Sequence, residues 1–193
     1  MAALQAAGQH AFGENYVQEA MAKMRELGDI DIEWHLIGHL QSNKAKDVAT
    51  HFDWVQSVDR VKLVDALAKQ RPADLGPLNL LVQVNIDDET SKHGCTPDDA
   101  EAICEAIAAQ PLLALRGLMA IPAPSPDLEV RRAAFHAMRT LFDQLRLRFP
   151  SMDTLSMGMS EDAALAISEG STMVRIGTAL FGPRPAKNSE ALS

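Results

Sequence analysis

Short strand-like segments alternate with helical patterns along almost the whole chain, and this alternation limits the possible folds most strongly. Seven runs rich in β-branched and other apolar residues have the length of strands: 9–12, 33–37, 54–58, 78–86, 115–121, 154–157 and 173–176. The segments between them carry apolar residues at three- and four-residue steps, which predicts helices. Short links favour parallel strands with right-handed crossovers, in either a doubly wound sheet or a closed barrel.

Small-residue turns follow the last two predicted strands and indicate a phosphate site. Gly158 and Gly177 allow the backbone to approach a ligand closely, and Ser160 and Thr178 place hydroxyls beside the N–H groups of predicted helix starts. Arg175 lies two residues before the second turn. The loops after the last two strands of a (β/α)8 barrel commonly bind phosphate, so the combination favours a barrel with an anion site.

Six sequence blocks, in order along the chain, carry a family resemblance. They are FGENYVQE (12–19), EWHLIGHLQSNK (33–44), VNIDDETSKHG (84–94), RGLMAIPA (116–123), SMGMSED (156–162) and MVRIGTALFG (173–182). Together they closely resemble the pyridoxal phosphate homeostasis protein family over residues 8–182. The resemblance implies a TIM-like (β/α)8 barrel of the alanine racemase N-terminal type, which binds pyridoxal 5′-phosphate.

The resemblance also implies roles for particular residues. It assigns the phosphate to Ser160, Gly177 and Thr178, and the pyridine nitrogen to Arg175. An arginine at the ring nitrogen keeps that nitrogen unprotonated, which suits holding the cofactor better than driving carbanion chemistry. The remaining residues expected at this rim of the barrel are Asn15, which the family places beside the cofactor, Ser156 and Met157.

One part of the family pattern has no counterpart in this sequence. A (β/α)8 barrel has eight strands, and the family's first strand ends in the lysine that forms the Schiff base with the cofactor aldehyde. That strand and its helix are expected upstream of Met1, so we predict that the chain is truncated at the N-terminus. Lys92, in a loop where the family also has a lysine, is a weak substitute candidate.

Three functional hypotheses remain open from the sequence. The first is a protein that buffers and delivers pyridoxal phosphate to apoenzymes that use the cofactor, without turning over a substrate. The second is a fold-type III pyridoxal enzyme such as an amino acid racemase, but such enzymes have a C-terminal β domain with a catalytic tyrosine, and Tyr16 is the only tyrosine here. The third is a truncated fragment that does not bind the cofactor.

Composition limits the partners and the compartment. The formal net charge of −8 gives no support for binding nucleic acid or a membrane surface. Cys95 and Cys104 form no CxxC pattern, and neither a metal site nor a disulfide is predicted.

We expect a cytoplasmic monomer with one barrel domain at 1–183 and a polar tail at 184–193. His39 is interpreted as a rim residue and His35 as a structural residue.

Overall fold

The computed structural model describes residues 1–87 and 93–182. Seven strands alternate with helices: β1 Ala11–Glu14, β2 Glu33–Leu36, β3 Trp54–Val58, β4 Leu78–Gln83, β5 Leu113–Met119, β6 Thr154–Met159 and β7 Met173–Arg175. The helices are α1 Ala2–Ala6, α2 Val17–Leu27, α3 Ala45–His51, α4 Val61–Gln70, α5 Ala100–Ala108, α6 Leu128–Arg148, α7 Ala163–Ser168 and α8 Thr178–Phe181. Short 3-10 helices cover Ser42–Lys44 and Ala73–Leu75. The predicted strand and helix alternation is therefore confirmed.

The seven strands form one sheet in chain order, and every neighbouring pair is parallel. The sheet curls strongly, because side chains of distant strands meet inside it. Gln56 on β3 hydrogen-bonds to Ser156 on β6 at 2.7 Å, whereas strands three apart in a flat sheet are separated by about 14 Å. Gln56 also reaches the sulfur of Met173 on β7 at 3.2 Å. The sheet is therefore a barrel wall, as predicted.

The outer face of the barrel carries most of the hydrophobic core. Leu155 and Met157 on β6 belong to this core together with residues of the surrounding helices, such as Phe135 and Phe142 of α6. Full burial of a side chain of this size contributes roughly 1.5–3 kcal/mol. Strand residues alternate between the two faces, so Ser156, between two core residues, faces the barrel interior.

The interior of the barrel is divided between apolar and polar side chains. Trp54, Leu81 and Met119 form a small apolar cluster, with Ile121 packed against it. The Arg116 guanidinium lies 4.8 Å from the centroid of the Trp54 ring. Other interior positions hold polar side chains such as His35, Gln56 and Ser156, and these build the candidate site.

Two further expectations concern cysteines and membranes. Cys95 and Cys104 are both free and buried, and burial raises the pKa of each thiol to about 12. Such thiols are poor nucleophiles at neutral pH. Within 1–87 and 93–182, no helix has the length and apolar character needed to cross a membrane. Lys92 and the predicted tail lie outside the described residues.

Candidate functional site

A half-buried arginine lies at the centre of the site. Arg175, at the end of β7, donates from Nη1 to Ser156 Oγ at 2.6 Å and from Nη2 to the carbonyl of Ala120 at 2.8 Å. Both partners are neutral, and none of the ion pairs found among the described residues involves Arg175. Burial lowers the pKa of Arg175 to about 10, and the negative charge of Asp162 opposes this shift. The guanidinium stays charged at neutral pH.

A chain of hydrogen bonds continues from Arg175 through the barrel. Ser156 donates its hydroxyl to Gln56 Oε1 at 2.7 Å. The Gln56 amide nitrogen lies 2.9 Å from His35 Nδ1, and His35 Nε2 lies 2.8 Å from Glu33 Oε1. An amide NH₂ can only donate, so His35 Nδ1 accepts and its Nε2 carries the proton that is given to Glu33. Every donor therefore points the same way, from the guanidinium to the carboxylate.

His35 is held as a neutral ring by this arrangement. Burial lowers its pKa below the ordinary value of 6.5, and the hydrogen bond to Glu33 opposes the shift. The imidazole also stacks on Trp54, with ring centroids 5.1 Å apart and an interplanar angle of 8°. His35 is thus a structural residue, as predicted, and it also belongs to the series of hydrogen bonds that begins at Arg175.

The two predicted phosphate-binding loops lie against each other. Ser160, in the loop after β6, accepts a hydrogen bond from the backbone N–H of Ala179 at 3.4 Å. Gly177 is the residue that precedes α8, and Thr178 is its first residue. A Cβ atom added at Gly177 would meet no heavy atom within 4 Å. Ser160 therefore lies beside the start of α8, which contains Thr178, and Gly177 faces open space.

Asn15 and Met157 occupy different environments from this cluster. Asn15 lines a cavity of about 440 Å³ together with Tyr16, Gly38, Lys44 and other residues after β1 and β2. Because all strands are parallel, this cavity lies at the same end of the barrel as the loops after β6 and β7. Met157 is fully buried in the outer core, so only its backbone is available to a ligand.

The site suits a ligand group that accepts hydrogen bonds. It suits a group that accepts electron pairs poorly. A half-buried cation whose hydrogen-bond partners are neutral favours a ligand that brings lone pairs or negative charge. The pyridine nitrogen and phosphate of pyridoxal phosphate are groups of this kind. The residues present therefore fit that cofactor at the arginine and at the two loops.

The sequence analysis did not identify Gln56 as a site residue. Gln56 is 2% exposed and lies within an otherwise mostly apolar strand, WVQSV. A glutamine at an inward position of such a strand is a usable signal, because a buried amide must find partners. Its particular partners could not be predicted, since Ser156 is 100 residues away in sequence.

Comparison with known proteins gives consistent results. A sequence model of the alanine racemase N-terminal domain matches residues 1–185. The pyridoxal phosphate homeostasis protein of Pseudomonas aeruginosa is 54% identical over 179 residues, covering 93% of this chain and 76% of that protein. Its counterpart in Escherichia coli K12 is 52% identical over 181 residues, covering 92% of this chain and 77% of that protein.

Solved structures show the same barrel. PipY of Synechococcus elongatus with pyridoxal phosphate bound is 39% identical with a TM-score of 0.84, covering 94% of this chain and 87% of that one. The alanine racemase of Clostridium difficile 630 has a TM-score of 0.79 at 14% identity and covers 95% of this chain but 48% of that one. At that identity the racemase likeness concerns the fold alone.

Proposed function

This chain belongs to the pyridoxal phosphate homeostasis protein family, within the alanine racemase N-terminal domain fold, and from that premise we propose that it binds pyridoxal 5′-phosphate. The observation that carries the proposal is the half-buried Arg175, which hydrogen-bonds only to neutral groups and lies two residues before Gly177, where the structure leaves open space. The curated relatives carry the name of homeostasis proteins and not of racemases. We further propose that it works in the cytoplasm as a monomer that holds and delivers the cofactor to apoenzymes.

Each residue group has a distinct task in this proposal. The backbone N–H groups near Gly177 and Thr178, with the Ser160 hydroxyl, bind the phosphate. Arg175 donates to the pyridine nitrogen, and Ser156 fixes the guanidinium through the 2.6 Å hydrogen bond. The cofactor supplies a reactive aldehyde and a conjugated ring when it is bound. Asn15 is proposed to lie beside it, while Met157 contributes backbone atoms.

The positive charge of Arg175 at the pyridine nitrogen favours holding the cofactor over using it to convert a substrate. An arginine donates a hydrogen bond without giving up its proton, because its pKa of about 10 stays above neutrality even after burial. The ring nitrogen then remains unprotonated, and the conjugated ring accepts electrons weakly. We propose that the protein turns over no substrate for this reason.

Replacing Arg175 tests the proposal directly. We expect Arg175→Gln to weaken pyridoxal phosphate binding by about tenfold to a hundredfold, since a hydrogen bond from a charged donor contributes about 1.5–3 kcal/mol. Isothermal titration calorimetry on both proteins measures the dissociation constants. Arg116→Gln is the matched control, because Arg116 is also a strand arginine but pairs with Asp153. Its affinity should equal that of the wild type.

Two outcomes would reject this role for Arg175. One is an unchanged affinity in Arg175→Gln, and the other is an equal loss in Arg116→Gln. Circular dichroism and thermal melting of each variant show whether a loss reflects unfolding. A folded wild-type chain that fails to bind the cofactor at all would instead favour the non-binding hypothesis.

A further inference from the structure

Three side chains with metal-binding atoms meet at the rim of the barrel. His39 follows β2, Asp59 follows β3 and His93 follows β4 along the chain. One ligand atom from each lies within 4.8 Å of the other two. Two imidazole nitrogens and one carboxylate oxygen are a donor set that suits borderline divalent transition metals, of which Zn²⁺ is the common example.

We propose that His39, Asp59 and His93 bind a divalent transition-metal ion such as Zn²⁺. This site is separate from the Arg175 hydrogen bonds and the two phosphate loops. Parallel strands that are neighbours in the sheet end at the same rim, which places the three residues together despite their distance in sequence.

A hydrogen bond from a neighbouring side chain orients the Asp59 carboxylate, as is common for the carboxylate ligands of metal ions. Asp59 Oδ1 accepts from Arg60 Nη1 at 2.5 Å, and Oδ2 lies 3.7 Å from His39 Nδ1. Arg60 is in turn tied to the carbonyl of Leu40 at 3.1 Å. Outer-shell hydrogen bonds of this kind hold a ligand in place. One carboxylate oxygen is therefore occupied, and the other faces the histidines.

The two imidazole rings are already in contact. His39 and His93 stack with centroids 3.9 Å apart and an interplanar angle of 15°. The stacking keeps the two rings side by side, and imidazole binds a metal ion through a ring nitrogen in its neutral form. A tetrahedral ion with Zn–N distances of about 2.0–2.1 Å needs donor atoms about 3.3 Å apart. Rotation of the exposed rings closes the remaining gap.

Solvent access and burial suit a bound ion at this position. The Asp59 side chain is 11% exposed and that of His39 is 32% exposed. The charge of the carboxylate is thus partly desolvated, which strengthens its attraction for a cation. Both histidines also line the 440 Å³ cavity, so water or a small ligand can reach the fourth coordination position.

The test is a metal titration of the whole, untagged chain. We expect one Zn²⁺ per chain by calorimetry, and with Co²⁺ a visible absorption spectrum typical of imidazole coordination. His39→Ala and His93→Ala should each weaken Zn²⁺ binding by at least about tenfold. Asp59→Asn keeps the side-chain shape but removes the charge, so it should also weaken binding and change the Co²⁺ spectrum.

His10→Ala is the matched control, because His10 is an exposed histidine whose Nδ1 lies 3.4 Å from Asp31 Oδ2, with no third metal-binding side chain beside them in the part of the chain that the structure describes. Its Zn²⁺ affinity should match that of the wild type. The proposal is overturned if the wild type shows no saturable binding, if His39→Ala binds like the wild type, or if His10→Ala loses as much affinity. Titration in the absence of pyridoxal phosphate keeps this result independent of cofactor binding.

Discussion

At the residue scale, the polar chain from Arg175 to Glu33 gives the barrel interior a fixed direction. A cation stands at one end and a carboxylate, 48% exposed, at the other. Hydrogen bonds that all point the same way polarise one another and become stronger together. Gln56 joins the two halves, because its oxygen accepts from Ser156 and its nitrogen donates to His35. This series of hydrogen bonds explains how the site can hold a half-buried arginine.

His35 makes the stability of the fold depend on pH. Its pKa is lowered in the folded protein by burial, while the unfolded value is 6.5. Below pH 6.5 the unfolded chain therefore binds more protons than the folded one. We expect the free energy of unfolding to fall as the pH drops from 6.5 through the folded pKa, by at most about 1.4 kcal/mol per pH unit.

Urea unfolding between pH 7 and pH 5 measures this dependence. His35→Gln should reduce the slope, although it also lowers stability at every pH because buried partners lose their hydrogen bonds. His51→Gln replaces an exposed histidine bonded to the carbonyl of Asp47 and should keep the wild-type slope. A His35→Gln slope equal to that of the wild type would contradict this role for His35.

At the scale of elements, Gly158 near the end of β6 and Gly177 after β7 have different requirements. Gly158 has φ +92, and a Cβ there would lie 2.4 Å from the Cβ of Ala166 in α7. Glycine is therefore needed at position 158 for both conformation and packing. Gly177 has φ −115, which other residues also adopt, and faces open space. Its need for glycine comes from the proposed ligand.

This contrast predicts two separable effects. Gly158→Ala should lower the free energy of unfolding by roughly 1–3 kcal/mol, since it combines backbone strain with a clash. Gly177→Ala should change stability little but weaken pyridoxal phosphate binding, because its methyl group occupies space beside the phosphate. Urea unfolding and cofactor titration of both variants measure the two effects. A large stability loss at Gly177, or unchanged cofactor affinity, would go against the proposed phosphate loops.

At the scale of the whole molecule, cofactor binding should stabilise the fold. A ligand that binds only the folded state at a hundred times its dissociation constant adds about 2.7 kcal/mol. For a chain of this size, each kcal/mol raises the melting temperature by about 2–4 °C. We therefore expect pyridoxal phosphate to raise the melting temperature by several degrees, and pyridoxal, which lacks the phosphate, to raise it less.

Thermal melting with increasing ligand concentration checks this expectation. Arg175→Gln serves as the control for reaction of the aldehyde with surface lysines, because those lysines are retained in the variant. Equal shifts for pyridoxal and pyridoxal phosphate would indicate that the phosphate contributes nothing. Equal shifts in the wild type and Arg175→Gln would place the stabilisation outside the proposed site.

The order of strands and helices could be predicted from the amino-acid sequence, because periodicity reports which face of each element is buried. The strand Trp54–Val58 was predicted with its observed bounds, whereas β1 begins two residues later than predicted, at Ala11. Strand ends are decided by pairing with a neighbour, as Ala11 pairs with Glu33. The turn at Gly177 was also predictable, since turn chemistry is local. The predicted turn at Gly158 was wrong, because β6 continues through this residue to Met159.

The side chains that meet inside the barrel could not be predicted from the sequence, because they come from strands far apart along the chain. The hydrogen bond between Gln56 and Ser156 joins residues 100 positions apart, and it exists because the sheet curls. The cluster of His39, Asp59 and His93 likewise requires three strands to end at one rim. Sequence patterns report the environment of each residue along its own element. The curvature and pairing of the strands determine its partners from elsewhere in the chain.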